Sequence, residues 1–135
     1  MTWTEFFKLY AVALVTFLVI DLIWLGVVAR SFYRTQLGHL LRADVNWAAA
    51  MAFYVIFVAG IVVLVVGPAV EQQSLLRAVA LGALLGLVTY AAYDLTNLAT
   101  LKGFPAAVAA VDLAWGAVLC ATVSAITYAA ATRLL

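Results

Sequence analysis

The chain has 135 residues, 69% hydrophobic and 10% charged, with a formal net charge of +1 and a mean hydropathy of +1.19. Soluble domains run at about 45–50% apolar and about 25% charged, so too little polar surface exists here to cover a globule in water. Disordered chains have the reverse balance and are excluded too. A small, dispersed charge argues against a nucleic-acid partner, and the single Cys120 rules out an intrachain disulfide or a cysteine-rich metal site.

About 20 apolar residues cross the hydrocarbon layer, and the gaps between charges supply four such stretches. The first, about 9–29, holds one charge, Asp21. It is too long, and too directly followed by arginines, to be a cleaved leader ending at Val27-Val28-Ala29. The next connection, Arg30 to Asn46, is the longest and most basic, with Arg30, Arg34, His39 and Arg42. Its Tyr33, Leu37 and Leu41 recur at i, i+4, i+8, which reads either as an amphipathic helix at the interface or as an extension of the first span. The second stretch, about 46–67, is uncharged and is expected to end at Gly67-Pro68. The third, about 77–101, carries Asp94 as its only charge from Ala78 onward, is capped by Ser74 and stops at Lys102-Gly103. The fourth, about 105–132, carries Asp112 alone, with Pro105 in its first turn.

Because these runs are continuous rather than alternating, they read as helices and not as barrel strands. The expectation is one all-α domain, an integral membrane four-helix bundle whose partner is the lipid bilayer. Trp3, Tyr10, Trp47 and Tyr128 sit near span ends, as interfacial aromatics do. Arg30, Arg34, Arg42 and Lys102 share one face, against Lys8, Arg77 and Arg133 on the other. The excess places the first face in the cytoplasm and both termini outside.

The informative residues are the three intramembrane acids. On insertion scales each costs about 2.5–3.5 kcal/mol at a helix centre. Asp21 lies nine residues before Arg30, Asp94 eight before Lys102, and Asp112 nine after Gly103. Those span ends belong to one face, so at 1.5 Å per residue the carboxyls share a level about 12–14 Å below it. Tyr54 enters the same level from the second span. Trp24 and Trp115 stand at i+3 from Asp21 and Asp112, and Asn97 and Tyr90 at i+3 and i−4 from Asp94, which puts a polar or amphipathic partner on each acid's own helix face. The candidate ligand-binding set is therefore Asp21, Trp24, Tyr54, Tyr90, Asp94, Asn97, Asp112 and Trp115. No Lys, Arg or His lies within a span, so the layer is expected to hold protons or a cation rather than three bare charges. Gly82 and Gly86 form a small-xxx-small step, with Gly26, Gly60 and Gly116 as further close-packing positions.

Asp21-x-x-Trp-Leu-Gly26, Tyr33 with Leu37-Gly38, Phe53-Tyr54, Gly60 and Pro68-Ala69 form a pattern over nearly the whole chain. Gly82-Ala-Leu-Leu-Gly86, Tyr90, Tyr93-Asp-Leu-Thr-Asn97 with Ala99-Thr100, and Asp112-x-x-Trp-Gly116 complete it. The pattern resembles the bacterial predicted-membrane-protein family catalogued as domain of unknown function 2177, with Phe104 standing before Pro105 where the family pattern has Trp. The resemblance implies a multi-pass protein of the bacterial inner membrane and carries no activity with it.

Four functions fit such a layer. It can form a pocket for a small apolar or cationic lipid-phase ligand. It can serve a proton-coupled transporter, which at this size requires a dimer, a homo-oligomer of the chain, to enclose a pathway. It can serve a lipid-modifying enzyme, although no His lies in the layer, no nucleophile–base pair is legible, and no catalytic residue, metal or cofactor is assigned. Or the acids can be interhelical hydrogen bonds alone, each worth about 0.6–2 kcal/mol, less than its insertion cost.

Overall fold

A computed structural model describes all residues 1–135. Four long helices are of spanning length and hydropathy: α1 (Trp3–Val28), α3 (Trp47–Glu71), α4 (Leu75–Thr100) and α5 (Ala106–Arg133). A short helix, α2 (Arg30–Leu37), follows α1. There are no strands, and the chain is an all-α membrane bundle. Large apolar residues such as Val15, Ile56, Leu84 and Val118 face outward, a surface suited to acyl chains and not to water.

The helix ends show what local chemistry decides. α1 starts six residues before the expected position because Thr2 and Glu5 cap each other. The Glu5 N–H donates to Thr2 Oγ1 at 3.1 Å, and the Thr2 N–H donates to Glu5 Oε2 at 2.9 Å. Asn46 and Ser74 cap α3 and α4 by accepting from the N–H groups of Ala49 and Arg77, each at 3.1 Å. Pro105 stands one residue outside α5, in extended backbone. Gly103, at φ +77°, makes the turn between α4 and α5. The His39 Nε2 donates to the Gly103 carbonyl at 3.0 Å, tying the first and third connections together at one face.

Two expected boundaries are corrected. Gly67-Pro68 does not end the second span, which continues to Glu71. Residues Val62–Val66 are wound wide, with the Gly67 N–H bonded to the Val62 carbonyl five residues back. This wider turn moves the preceding carbonyls away from the Pro68 ring, so the missing N–H is absorbed without a break. At the other correction, the basic connection is neither a plain extension of α1 nor a helix reaching Leu41. Trp24–Val28 is wound in the same wide way, Ala29 breaks the helix at φ −108°, ψ 8°, and α2 stops at Leu37.

The main core joins Leu9, Ala13 and Phe17 of α1, Phe57, Val58, Ile61, Val62 and Val66 of α3, and Leu119, Cys120 and Val123 of α5. It lies in the half of the bundle near the chain termini. A second cluster at the opposite face sets Leu37, Phe32 and Tyr33 against Phe104, Val108 and Ala109. The acids sit between these two apolar blocks.

α4 reaches α5 through small residues instead of large ones. A Cβ on Gly82 would lie 2.7 Å from the Cys120 carbonyl oxygen, one on Gly86 would collide with the Gly116 carbonyl, and one on Gly116 would collide with the Tyr90 ring. These are contacts that only glycine allows. Gly26 and Gly60, expected to do the same, meet nothing within 4 Å. Gly26 falls in the wide turn and is exposed, and Gly60 is only half-buried, so neither supports a close helix approach.

Candidate functional site: an acid and aromatic layer beside a lateral cleft

The antiparallel rows on α4 and α5 determine which acids meet. Gly82 faces Cys120 and Ser124, Gly86 faces Gly116, and Tyr90 lies over Gly116. One more turn in the same register brings Asp94 opposite Asp112. Asp94 is fully buried, and no donor group of the chain reaches either of its oxygens.

Asp112 is half-buried and is held by a residue of the membrane-face helix. The Tyr33 hydroxyl donates to Asp112 Oδ1 and accepts from the Trp24 Nε1–H at 3.2 Å. Burial, and after it the bond to Asp112, push the Tyr33 phenol above its ordinary range, so the hydroxyl keeps the proton it donates. Tyr33 was legible in the sequence as part of an amphipathic repeat and of the family pattern, but not as a partner of the acids. The signal that could have found it is a hydroxyl-bearing residue on the apolar side of that repeat.

Asp21, 5% exposed, has a different setting. It accepts from the Tyr54 hydroxyl at Oδ2 and from the Trp115 Nε1–H at Oδ1, both at 3.1 Å. The tryptophans therefore do not serve the acids on their own helices, as the i+3 spacing suggested. Trp115 serves Asp21, and Trp24 reaches Asp112 through Tyr33. Side chains lean toward the N-terminus of their helix, and α1 and α5 run oppositely. Trp24 thus leans away from the basic face and Trp115 toward it, and their rings stack with centroids 4.2 Å apart and planes 8° from parallel.

Of the remaining candidates, Tyr90 packs on Gly116 and faces a cavity, whereas Asn97 joins none of the hydrogen bonds of the layer. The three carboxyls do not gather into a set able to hold one metal ion. Asp21 is bonded to its own donors, Tyr54 and Trp115.

The cavity, about 390 Å³, is lined by Phe53, Thr89, Tyr90, Tyr93 and Asp112. Beside it, α3 and α4, joined by a tight turn near Gln73, meet mainly through the Val62–Glu71 end of α3. Toward the other face they separate, and α5 forms the floor of the opening. Phe53 and Tyr93, both exposed on the outer surface, flank its mouth. Phe53, Thr89 and Tyr93 were not among the candidate site residues. Thr89 and Tyr93 are four apart on one helix face, but nothing in the spacing says that α3 turns away from it. A larger cavity, about 450 Å³, lies at the opposite end of the bundle between Glu5, Lys8 and Glu71 and includes no residue of the acid layer.

Comparison with known proteins finds no match among curated proteins and none among solved structures. A family model described as "Predicted membrane protein (DUF2177)" matches residues 6–129, a stretch that includes most of every span, the three acids and the residues lining the cleft. A protein with four apolar spans is a multi-pass membrane protein, and by that match the chain belongs to the DUF2177 family.

Proposed function

We propose that this protein, in the inner membrane of a bacterium, binds an amphiphile that enters sideways from the lipid. Its headgroup lies in the cleft between α3 and α4, and its chain stays among the acyl tails. The observation that carries this reading is a half-buried carboxyl, Asp112, in the lining of a cavity that also includes Phe53 and Tyr93, both exposed on the outer surface. A cavity of about 390 Å³ falls in the range of about 300–1,000 Å³ common for small-molecule sites, which combine apolar walls with a few placed polar groups. Asp21, satisfied by two donors, belongs to the scaffold of the site.

Native mass spectrometry of the full chain from mild detergent tests this. The wild type is expected to retain a lipid-sized adduct, and Thr89→Trp, which fills the cleft from the α4 side, is expected to lose it at an unchanged melting temperature. An adduct that survives Thr89→Trp, or a wild type that carries none after reconstitution in bacterial lipid, would overturn the reading.

A further inference from the structure

The carboxyl pair beside the cleft is rich in acceptors and poor in donors. Both Asp94 oxygens lack any donor group of the chain, although the side chain is fully buried. Asp112 receives one bond, from Tyr33. Nothing about this depth forbids donors, since Asp21 receives two. The shortage is local to the pair whose outer member, Asp112, lines the cavity, and buried acceptors left in that condition are costly.

No cation of the chain relieves it, because no Lys, Arg or His lies in the interior of a span and the one ion pair of the fold joins the N-terminus to Glu71. The other walls are three aromatic rings, Phe53, Tyr90 and Tyr93, whose faces attract cations. A hydroxyl headgroup supplies one donor and no charge, and a quaternary ammonium supplies charge and no donor. A protonated primary amine supplies a charge and three N–H groups.

We infer that the ligand of the cleft is an amphiphile with a protonated primary-amine headgroup, its N–H groups on the Asp112 carboxyl and its first carbons among Phe53, Tyr90 and Tyr93. This inference rests on the lateral-cleft reading and adds the chemistry of the headgroup. Asp94 sits behind Asp112 and acts on the ligand through it, as a positioning residue. The cavity has room for a headgroup and a few methylenes, and the rest of the chain leaves between α3 and α4.

The test is competitive binding to the full chain in mild detergent. Dodecylamine, dodecyltrimethylammonium and dodecanol are added at equal concentration, and bound masses are read by native mass spectrometry. Dodecylamine is expected to exceed each of the others at least tenfold in occupancy. Asp112→Asn is expected to abolish that preference. The double variant Phe53→Leu/Tyr93→Leu, altered only at exposed rings, is expected to reduce it severalfold, which keeps the test decisive if Asp112→Asn fails to fold. Equal binding of amine and alcohol, both blocked by Thr89→Trp, overturns the amine assignment and leaves the cleft standing. Equal binding of the quaternary ammonium overturns the requirement for N–H donors. Binding of all three that ignores Thr89→Trp overturns the assignment and the cleft together.

Discussion

Asp21 and Asp94 are the same residue type, both buried in apolar spans of the same bundle, yet their surroundings are opposite. Asp21 is enclosed by α1, α3 and α5 and takes a hydrogen bond on each oxygen, from Tyr54 and Trp115. Asp94 is enclosed by α4 and α5 and takes none from any donor group of the chain. It faces another carboxyl, which in turn borders a cavity open to the lipid. The difference follows from how each helix pair approaches. α1 and α5 carry large side chains at this level, and their stacked indoles leave polar edges free to reach across. α4 and α5 approach through glycines, which bring backbones together and leave few side chains between them to act as donors. One acid thus reads as a joint of the scaffold and the other as part of a site.

The largest effect that breaks this comparison is expected from Gly86→Ala. Its Cβ has no room against the Gly116 carbonyl, so α4 must move off α5 and carry Asp94 away from Asp112. Overpacking at a backbone contact of this kind costs about 3 kcal/mol or more, read as loss of monodisperse protein or a large fall in melting temperature.

Asp21→Asn comes next. The amide offers one acceptor where two donors converge, leaving one polar hydrogen unpaired, and a destabilisation of about 2 kcal/mol is expected. Tyr33→Phe is smaller, about 1 kcal/mol, because it deletes the bond to Asp112 and strands the Trp24 N–H near partly accessible surroundings. The same residue sets a pH signature. Burial, then the bond to Asp112, raise the Tyr33 phenol above its ordinary value of 10.0. Above about pH 10 the unfolded chain loses this proton first, so the folded state binds more protons and stability falls with rising pH. The contribution is whole below pH 10 and is lost as the pH climbs through the folded value. Thermal melts from pH 8 upward should show a steeper alkaline decline for wild type than for Tyr33→Phe.

Asp94→Asn sharpens the contrast by doing little. The amide N–H can donate to Asp112, so a change below about 0.5 kcal/mol is expected, against the loss expected for the same substitution at Asp21. A fall at Asp94 equal to that at Asp21 would show both acids to be joints. Asn97→Ala is expected to have the smallest effect, within about 0.5 kcal/mol, because Asn97 takes no part in the layer.

Much of this was legible from residue order. The row Gly82, Gly86, Tyr90, Asp94 is visible on α4 as steps of four, and the depths of the acids follow from counting to the nearest span end. The opposing row on α5, Asp112, Gly116, Cys120, Ser124, is written just as plainly. What counting does not reveal is that these two rows face each other, since any pair among four apolar helices is compatible with the same periodicity. The exchange of tryptophans was hidden for a related reason. The spacing i+3 assigns Trp115 to the face of Asp112 but does not say which neighbouring helix its ring reaches.

Length and hydropathy by themselves determined four membrane-spanning helices, their approximate limits and a common depth for three acids, because the hydrocarbon layer imposes a thickness and a charge-free interior on any chain that crosses it. Tertiary structure alone decided which acid received donors, which was paired with another acid, and where α3 and α4 part to open a cleft. Those outcomes depend on contacts between helices, and in lipid such contacts are selected by side-chain fit, since no hydrophobic gradient separates one apolar face from another.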